Sequence, residues 1–121
     1  MSSPEASLQI AWIYVADLER TTHFYADVLG FRMFKDEGMA RIFETVPGAA
    51  IGVCKVHGDR AASPEGSMIS LVTDDVDGWY ARVSEAGVKT RGAPEHLEQF
   101  GIYAFFAEDP DGYVIEFQKF L

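Results

Sequence analysis

Glu116 stands in the run Tyr113-Val114-Ile115-Glu116-Phe117, a carboxylate inside an otherwise apolar strand pattern. A buried carboxylate needs a partner or a task. It can act as a base on an acidic C–H or accept a hydrogen bond from a ligand; the alternative is a structural, hydrogen-bonded acid. Trp12 and Tyr14 share one parity of an early strand and suit stacking on a planar ligand, with core filling as the competing reading. Among the histidines, His23 reads as a helical residue beside Phe24 and His57 as a solvated one between Lys55 and Arg60. His96, in Glu95-His96-Leu97-Glu98, has carboxylates close enough to share a metal, although loops are ordinarily polar. Cys54 reads as a small buried hydrophobe with no nucleophile motif around it. Arg32, Lys35, Arg41, Lys89 and Arg91 read as solvated cations on strand edges, and Arg41 could meet a ligand carboxylate. No phosphate-cradling glycine loop and no zinc-type cysteine spacing is present.

Two strands and a loop must position these residues, so the organisation of the chain matters next. Residues 8–15 alternate between two apolar faces, as a strand covered on both sides does. Asp17 then sits as a helix cap, with Leu18, Thr21, Tyr25, Val28 and Leu29 at helical spacing and Gly30 as the stop. Strands are predicted at residues 31–35, 39–45 and 50–56, with Pro47-Gly48 turning between the last two. The same order returns: a strand at 68–73, a cap at Asp74 or Asp75, and a helical stripe of Val76, Trp79, Tyr80, Val83 and Ala86 closed by Gly87. Trp79 and Tyr80 therefore read as core. Strands at 88–91, 102–107 and 113–119 follow, with Asp109-Pro110-Asp111-Gly112 as a turn. Asp17 precedes Gly30 by thirteen residues, and Asp74 precedes Gly87 by thirteen. The chain thus holds two copies of strand, helix, strand, strand, strand, over about residues 8–56 and 67–120, joined by a Gly-, Ala-, Ser- and Pro-bearing linker at 57–66. Two units this small are expected to form a single domain over residues 1–121.

Composition sets the outer bounds. The 121 residues are 48% hydrophobic and 24% charged, the profile of a globular chain. A net charge of -9 repels phosphate backbones and anionic lipid, so neither nucleic acid nor a membrane surface is an expected partner. The N-terminus shows no basic start or apolar core of a secretory signal, and one cysteine cannot make an internal disulfide. A cytoplasmic location is the expectation.

The opening Val15-Ala16-Asp17-Leu18, with Phe24-Tyr25 and Leu29-Gly30-Phe31, resembles the first signature of the vicinal-oxygen-chelate (glyoxalase/bleomycin resistance/dioxygenase) superfamily. Asp109-Pro110-Asp111-Gly112-Tyr113, with Ile115-Glu116-Phe117, resembles its closing one. The resemblance implies an α+β fold in which two βαβββ modules form a cup-shaped mixed sheet with helices outside. Strand parity then sends Ala11, Ile13, Val15, Ile69, Leu71, Ile115 and Phe117 toward the helices. Ile10, Trp12, Tyr14, Met68, Ser70, Val114, Glu116 and Gln118 face the cup. Phe100, in the loop that closes over the cup in this family, would form a lid.

Family enzymes hold a metal with His, Glu or Gln from the first strand of each module and a Glu from the last. Those positions fall here on Ile10, on Met68 (or Ser67), and on Glu116, so only one matches. One carboxylate does not supply the three or four donors a divalent metal needs. The resemblance therefore implies a protein without metal or other cofactor. It would bind a small, partly aromatic molecule through Trp12, Tyr14, Met68, Ser70, Phe100 and Glu116. Two alternatives stay open: a metal-dependent lyase, isomerase or dioxygenase with atypical ligands such as Glu116 and His96, or a metal-free enzyme using Glu116 as base. Family precedent implies a homodimer.

Overall fold

The structure, a computed structural model, describes residues 3–121. It divides into two compact units, residues 1–62 and 63–121.

The first unit runs β1 (Gln9–Val15), α1 (Leu18–Thr22) with a π-helical continuation at His23–Val28, β2 (Arg32–Asp36), β3 (Ala40–Val46) and β4 (Ala49–Lys55). Its sheet has the order β1-β4-β3-β2, with β1 parallel to β4 and the other pairs antiparallel. Asp17 caps the helix as its type predicts, accepting a hydrogen bond from the Arg20 amide. Gly30, at φ 80°, takes the left-handed stop that a side chain would resist. Between them the Leu29 amide reaches back five residues to the Phe24 carbonyl, so the last turn is wider than an α-turn. That extra residue swings Phe24, Tyr25 and Leu29 onto the sheet, where all three are buried. The Tyr25 ring stacks on Phe43, 5.9 Å away, over a floor of Val15, Ile51 and Val53. Ala11, expected under the helix, is exposed.

The second unit runs β5 (Ile69–Val72), α2 (Val76–Glu85), β6 (Glu95–Leu97) with a 3-10 turn at Glu98–Phe100, β7 (Ile102–Glu108) and β8 (Val114–Phe120). The sheet repeats the first pattern as β5-β8-β7-β6, with β5 parallel to β8. Each unit is thus a βαβββ module, and the α+β expectation holds. Trp79 stacks on Phe117 at 4.9 Å and Tyr80 meets Phe105 edge-on at 5.2 Å, which places both helix aromatics against the sheet as expected. Each such pair adds about 0.5–1.5 kcal/mol beyond the area it buries.

The second cap is one of its two candidates, but the equal cap-to-stop spacing and one predicted strand need correction. The cap of α2 is Asp75, whose carboxylate accepts from the Gly78 amide, while its own amide donates to the Thr73 hydroxyl. Asp75 stands twelve residues before Gly87, one fewer than in the first module, and the π turn absorbs the difference. The third strand of the second module is not residues 88–91. That stretch only bridges β7 at Thr90, through the Arg91 amide to the Phe106 carbonyl and the Glu108 amide to the Lys89 carbonyl. Gly92 then turns at φ 94° ahead of Pro94, which has no amide hydrogen to offer a ladder. Pairing resumes at Glu95–Leu97, within the segment expected to be loop.

Candidate functional site

The register of the second sheet decides what meets Glu116. Ser70 of β5 lies directly opposite it in the parallel pair, and Phe106 of β7 opposite it in the antiparallel pair. Side chains two apart on a strand share a face, so Met68, Ser70, Phe106, Glu116, Gln118 and Phe120 come to one side. The 3-10 turn raises Phe100 at the margin, where it is 66% exposed.

Four of the expected residues, Met68, Ser70, Phe100 and Glu116, line one cavity of about 380 Å³. Ile102, Phe106, Leu97, Gln118 and Phe120 complete its walls. Ligand pockets usually lie between roughly 300 and 1,000 Å³, so a molecule of one or two rings fits. Gln118 was legible as cup-facing from parity. The β7 residues Ile102 and Phe106 were not singled out, although their parity opposite Glu116 was available once β7 and β8 are paired. A wider, more open hollow of about 840 Å³ shares Met68 and Phe106 with this cavity. In its wall Arg91 pairs with Glu108 at 3.3 Å, whereas the smaller, more apolar cavity holds the buried Glu116.

Glu116 is only 3% exposed. The Ser70 hydroxyl donates to its Oε1 at 2.5 Å, and the Gln118 amide donates to the same oxygen at 2.9 Å. Both lone-pair directions of Oε1 are therefore used, and Oε2 is left as the open acceptor of the carboxylate. The Gln118 carbonyl oxygen is buried without a hydrogen-bond partner. The arrangement orients one carboxylate and offers acceptors to whatever enters.

A transition metal does not fit these donors. The expected ligand positions hold Ile10, Met68 and Glu116, and among the described residues no three His, Cys, Asp or Glu side chains gather. His96, the candidate second ligand, pairs with Tyr103 across β6 and β7, and its ring lies 4.7 Å from the Tyr103 ring. The Tyr103 hydroxyl donates to Asp77 on α2, so His96 belongs to the helix side of the sheet and Glu116 to the other.

Trp12 and Tyr14 lie on the corresponding face of the first module. Trp12 stands five residues before the cap of its helix, as Ser70 does before its own, and pairs with Gly52 where Ser70 pairs with Glu116. The indole lies over Gly52 so closely that a Cβ there would come within 2.5 Å of the ring, yet Trp12 stays 43% exposed. Tyr14 is covered by the linker: the Arg60 guanidinium sits 5.6 Å from its ring centre and the His57 ring 6.4 Å. A tight turn, with paired backbone hydrogen bonds between His57 and Arg60, folds them there, and His57 stays exposed, as expected. Cys54 is half-buried, and its thiol donates to the Lys55 carbonyl.

Arg41 is not free for a ligand carboxylate either. It reaches Glu19 at 2.8 Å, the Thr22 hydroxyl at 2.9 Å and Asp36 at 3.4 Å, tying β3 to α1. The hydrogen bond it donates to Glu19 raises the guanidinium pKa further. The Gly38 amide, with help from Arg41, holds the Asp36 carboxyl below its ordinary range.

Comparison with known proteins agrees with the strand order. The model of the family described as Glyoxalase/Bleomycin resistance protein/Dioxygenase superfamily matches residues 7–117. Comparison with the curated proteins gives no match. A superfamily member from Sphaerobacter thermophilus is similar in structure, with a TM-score of 0.77 at 25% identity, over 95% of this chain and 98% of that one. A lactoylglutathione lyase from Agrobacterium tumefaciens has a TM-score of 0.74 at 21% identity, over 96% and 95% of the two chains. A glyoxalase/bleomycin resistance protein/dioxygenase from Nocardioides has a TM-score of 0.76 at 18% identity, over 100% and 87%.

Proposed function

This chain belongs to the glyoxalase/bleomycin resistance protein/dioxygenase superfamily, and from that premise we propose that it binds a small, partly aromatic molecule without a metal. The observation that carries the reading is the buried Glu116 carboxylate with one oxygen open to an otherwise apolar cavity. Apolar walls supply most of the affinity and a few placed polar groups fix orientation. Met68 and Phe106 form the walls, Phe100 the lid, and Ser70 and Gln118 hold the carboxylate in place. Trp12 is an exposed aromatic surface of the first module itself, suited to stacking on a planar ligand there. The donor set around Glu116 supports a metal-free site, because one carboxylate beside a serine, a glutamine and a methionine lacks the imidazole, thiolate or further carboxylate donors that make up a closed divalent-metal site.

A second reading follows from the same carboxylate. A base must be oriented and reachable, and Oε2 meets both needs, so a metal-free enzyme abstracting a proton at this site is the alternative. Ligand screening by thermal shift and calorimetry, with metal content measured on the purified protein, tests the proposal. A single-ring or two-ring ligand is expected to bind to metal-depleted protein, with weaker binding to Phe100→Ala and to Glu116→Gln. Tightly held, near-stoichiometric metal would overturn the reading, as would an unchanged affinity in both variants.

No helix among the described residues is long and apolar enough to cross a membrane. The proposal extends to a cytoplasmic homodimer, supported by the lone Cys54 and by the apolar surface that edge strand β2 exposes at Met33 and Phe34. Neither nucleic acid nor a membrane surface is among the proposed partners, given the net charge of -9.

A further inference from the structure

Resting on the binding reading, we infer that the ligand is a nitrogen donor: an amidinium, a guanidinium or a protonated amine on an aromatic body, seated with its N–H groups on Glu116. The polar floor of the cavity is rich in acceptors and nearly exhausted of donors. The Ser70 hydroxyl spends its one hydrogen on Glu116 Oε1, and the Gln118 amide spends one of its two on the same atom. What remains for a ligand is Glu116 Oε2 and the lone pairs of Ser70 Oγ, with the buried Gln118 Oε1 adding an unpartnered acceptor dipole behind them. A carboxylate, phosphate or enolate ligand would bring more acceptors to this floor and meet a buried negative charge. An amidinium brings what is missing. An N–H group on a cationic ligand meets the open carboxylate oxygen directly, and charge-assisted hydrogen bonds are the stronger kind.

The remaining walls fit the other half of such a molecule. Leu97, Phe100, Ile102 and Phe106 are apolar and offer no hydrogen bond of their own from the side chain. No lysine or arginine lines the cavity to compete for the carboxylate. The net charge of -9 adds a long-range field that gathers cations and repels anions before they arrive.

Three probes of one shape and different charge test this: benzamidine, benzamide and benzoate, titrated by calorimetry into the full chain at neutral pH. Benzamidine is expected to bind roughly ten- to a hundred-fold tighter than benzoate, the range that a hydrogen bond to a charged group supports. Glu116→Gln should level the three, with circular dichroism confirming the fold. Equal binding of all three, or benzoate ahead, overturns this inference and leaves the binding reading standing. A benzamidine preference that survives in Glu116→Gln also overturns it. If no probe binds, neutral benzamide included, both fall together.

Discussion

Gly52 and Glu116 occupy the same place in their two modules, each on the last strand, opposite a residue five before the helix cap. One place carries a carboxylate held by Ser70 and Gln118; the other carries no side chain at all and lies under the Trp12 indole. The repeat of the fold is therefore not a repeat of the chemistry. Glycine at 52 is required by that close approach and not by its backbone angles. Gly52→Ala is expected to destabilise the protein by about 1–3 kcal/mol, the usual cost of forcing a methyl group into an occupied space. Urea denaturation would read it, and the cost should shrink when the same change is made in a Trp12→Ala background. An equal cost in both backgrounds would mean that the indole is not what the methyl meets.

Helix and sheet in the second module are joined by aromatic stacking and by a polar link, the Tyr103 hydroxyl of β7 donating to Asp77 of α2 at 2.6 Å. The hydrogen bond to Asp77, with some burial and the Asp77 charge, raises the Tyr103 pKa above its ordinary value. A raised pKa means that the folded protein holds the proton more tightly than the unfolded chain does. The link therefore contributes fully below the ordinary phenol value of about 10, and its contribution is lost as pH rises through the raised one. The stability difference between the wild type and Tyr103→Phe is expected to be constant from pH 7 to about 9 and to decline at higher pH. A difference that stays level to the alkaline limit of folding would remove the link. The first helix solves the same packing problem by another route: its π turn accommodates one extra residue between cap and stop, while Phe24, Tyr25 and Leu29 still reach the sheet.

Charge and exposed apolar surface act at the scale of the whole chain. The net charge of -9 keeps molecules apart, whereas Met33 and Phe34 on edge strand β2, with Met39 just beyond, draw them together. An edge strand with apolar side chains and unpaired backbone groups is ordinarily covered. Lys35 and Arg32 flank those residues, and Arg32 is already paired with Glu44 at 3.2 Å. Sedimentation at micromolar concentration is expected to give twice the chain mass, with a melting temperature that rises with protein concentration. A monomer whose melting temperature ignores concentration would refute the dimer.

Local sequence determined much of this protein. Alternation and helical spacing in residues 8–15, 18–29 and 76–86 were enough to place strands and helices, because those periods are properties of the backbone next to each residue. Asp17, Gly30 and Gly87 marked helix ends for equally local reasons. Parity alone put Met68, Ser70, Glu116 and Gln118 on one face. Tertiary structure decided whatever depends on partners distant in the chain. Residues 88–91 had strand character, but Gly92 and Pro94 moved the continuous pairing to Glu95–Leu97. That shift gave His96 to the helix side and took it from any shared site with Glu116. Arg41 looked available until Glu19 and Asp36 closed on it. The site itself is of this second kind. A carboxylate in an apolar strand could be read from neighbours, but that both of its donors meet one oxygen, leaving the other open, follows only from the register of two strands brought together from opposite ends of the module.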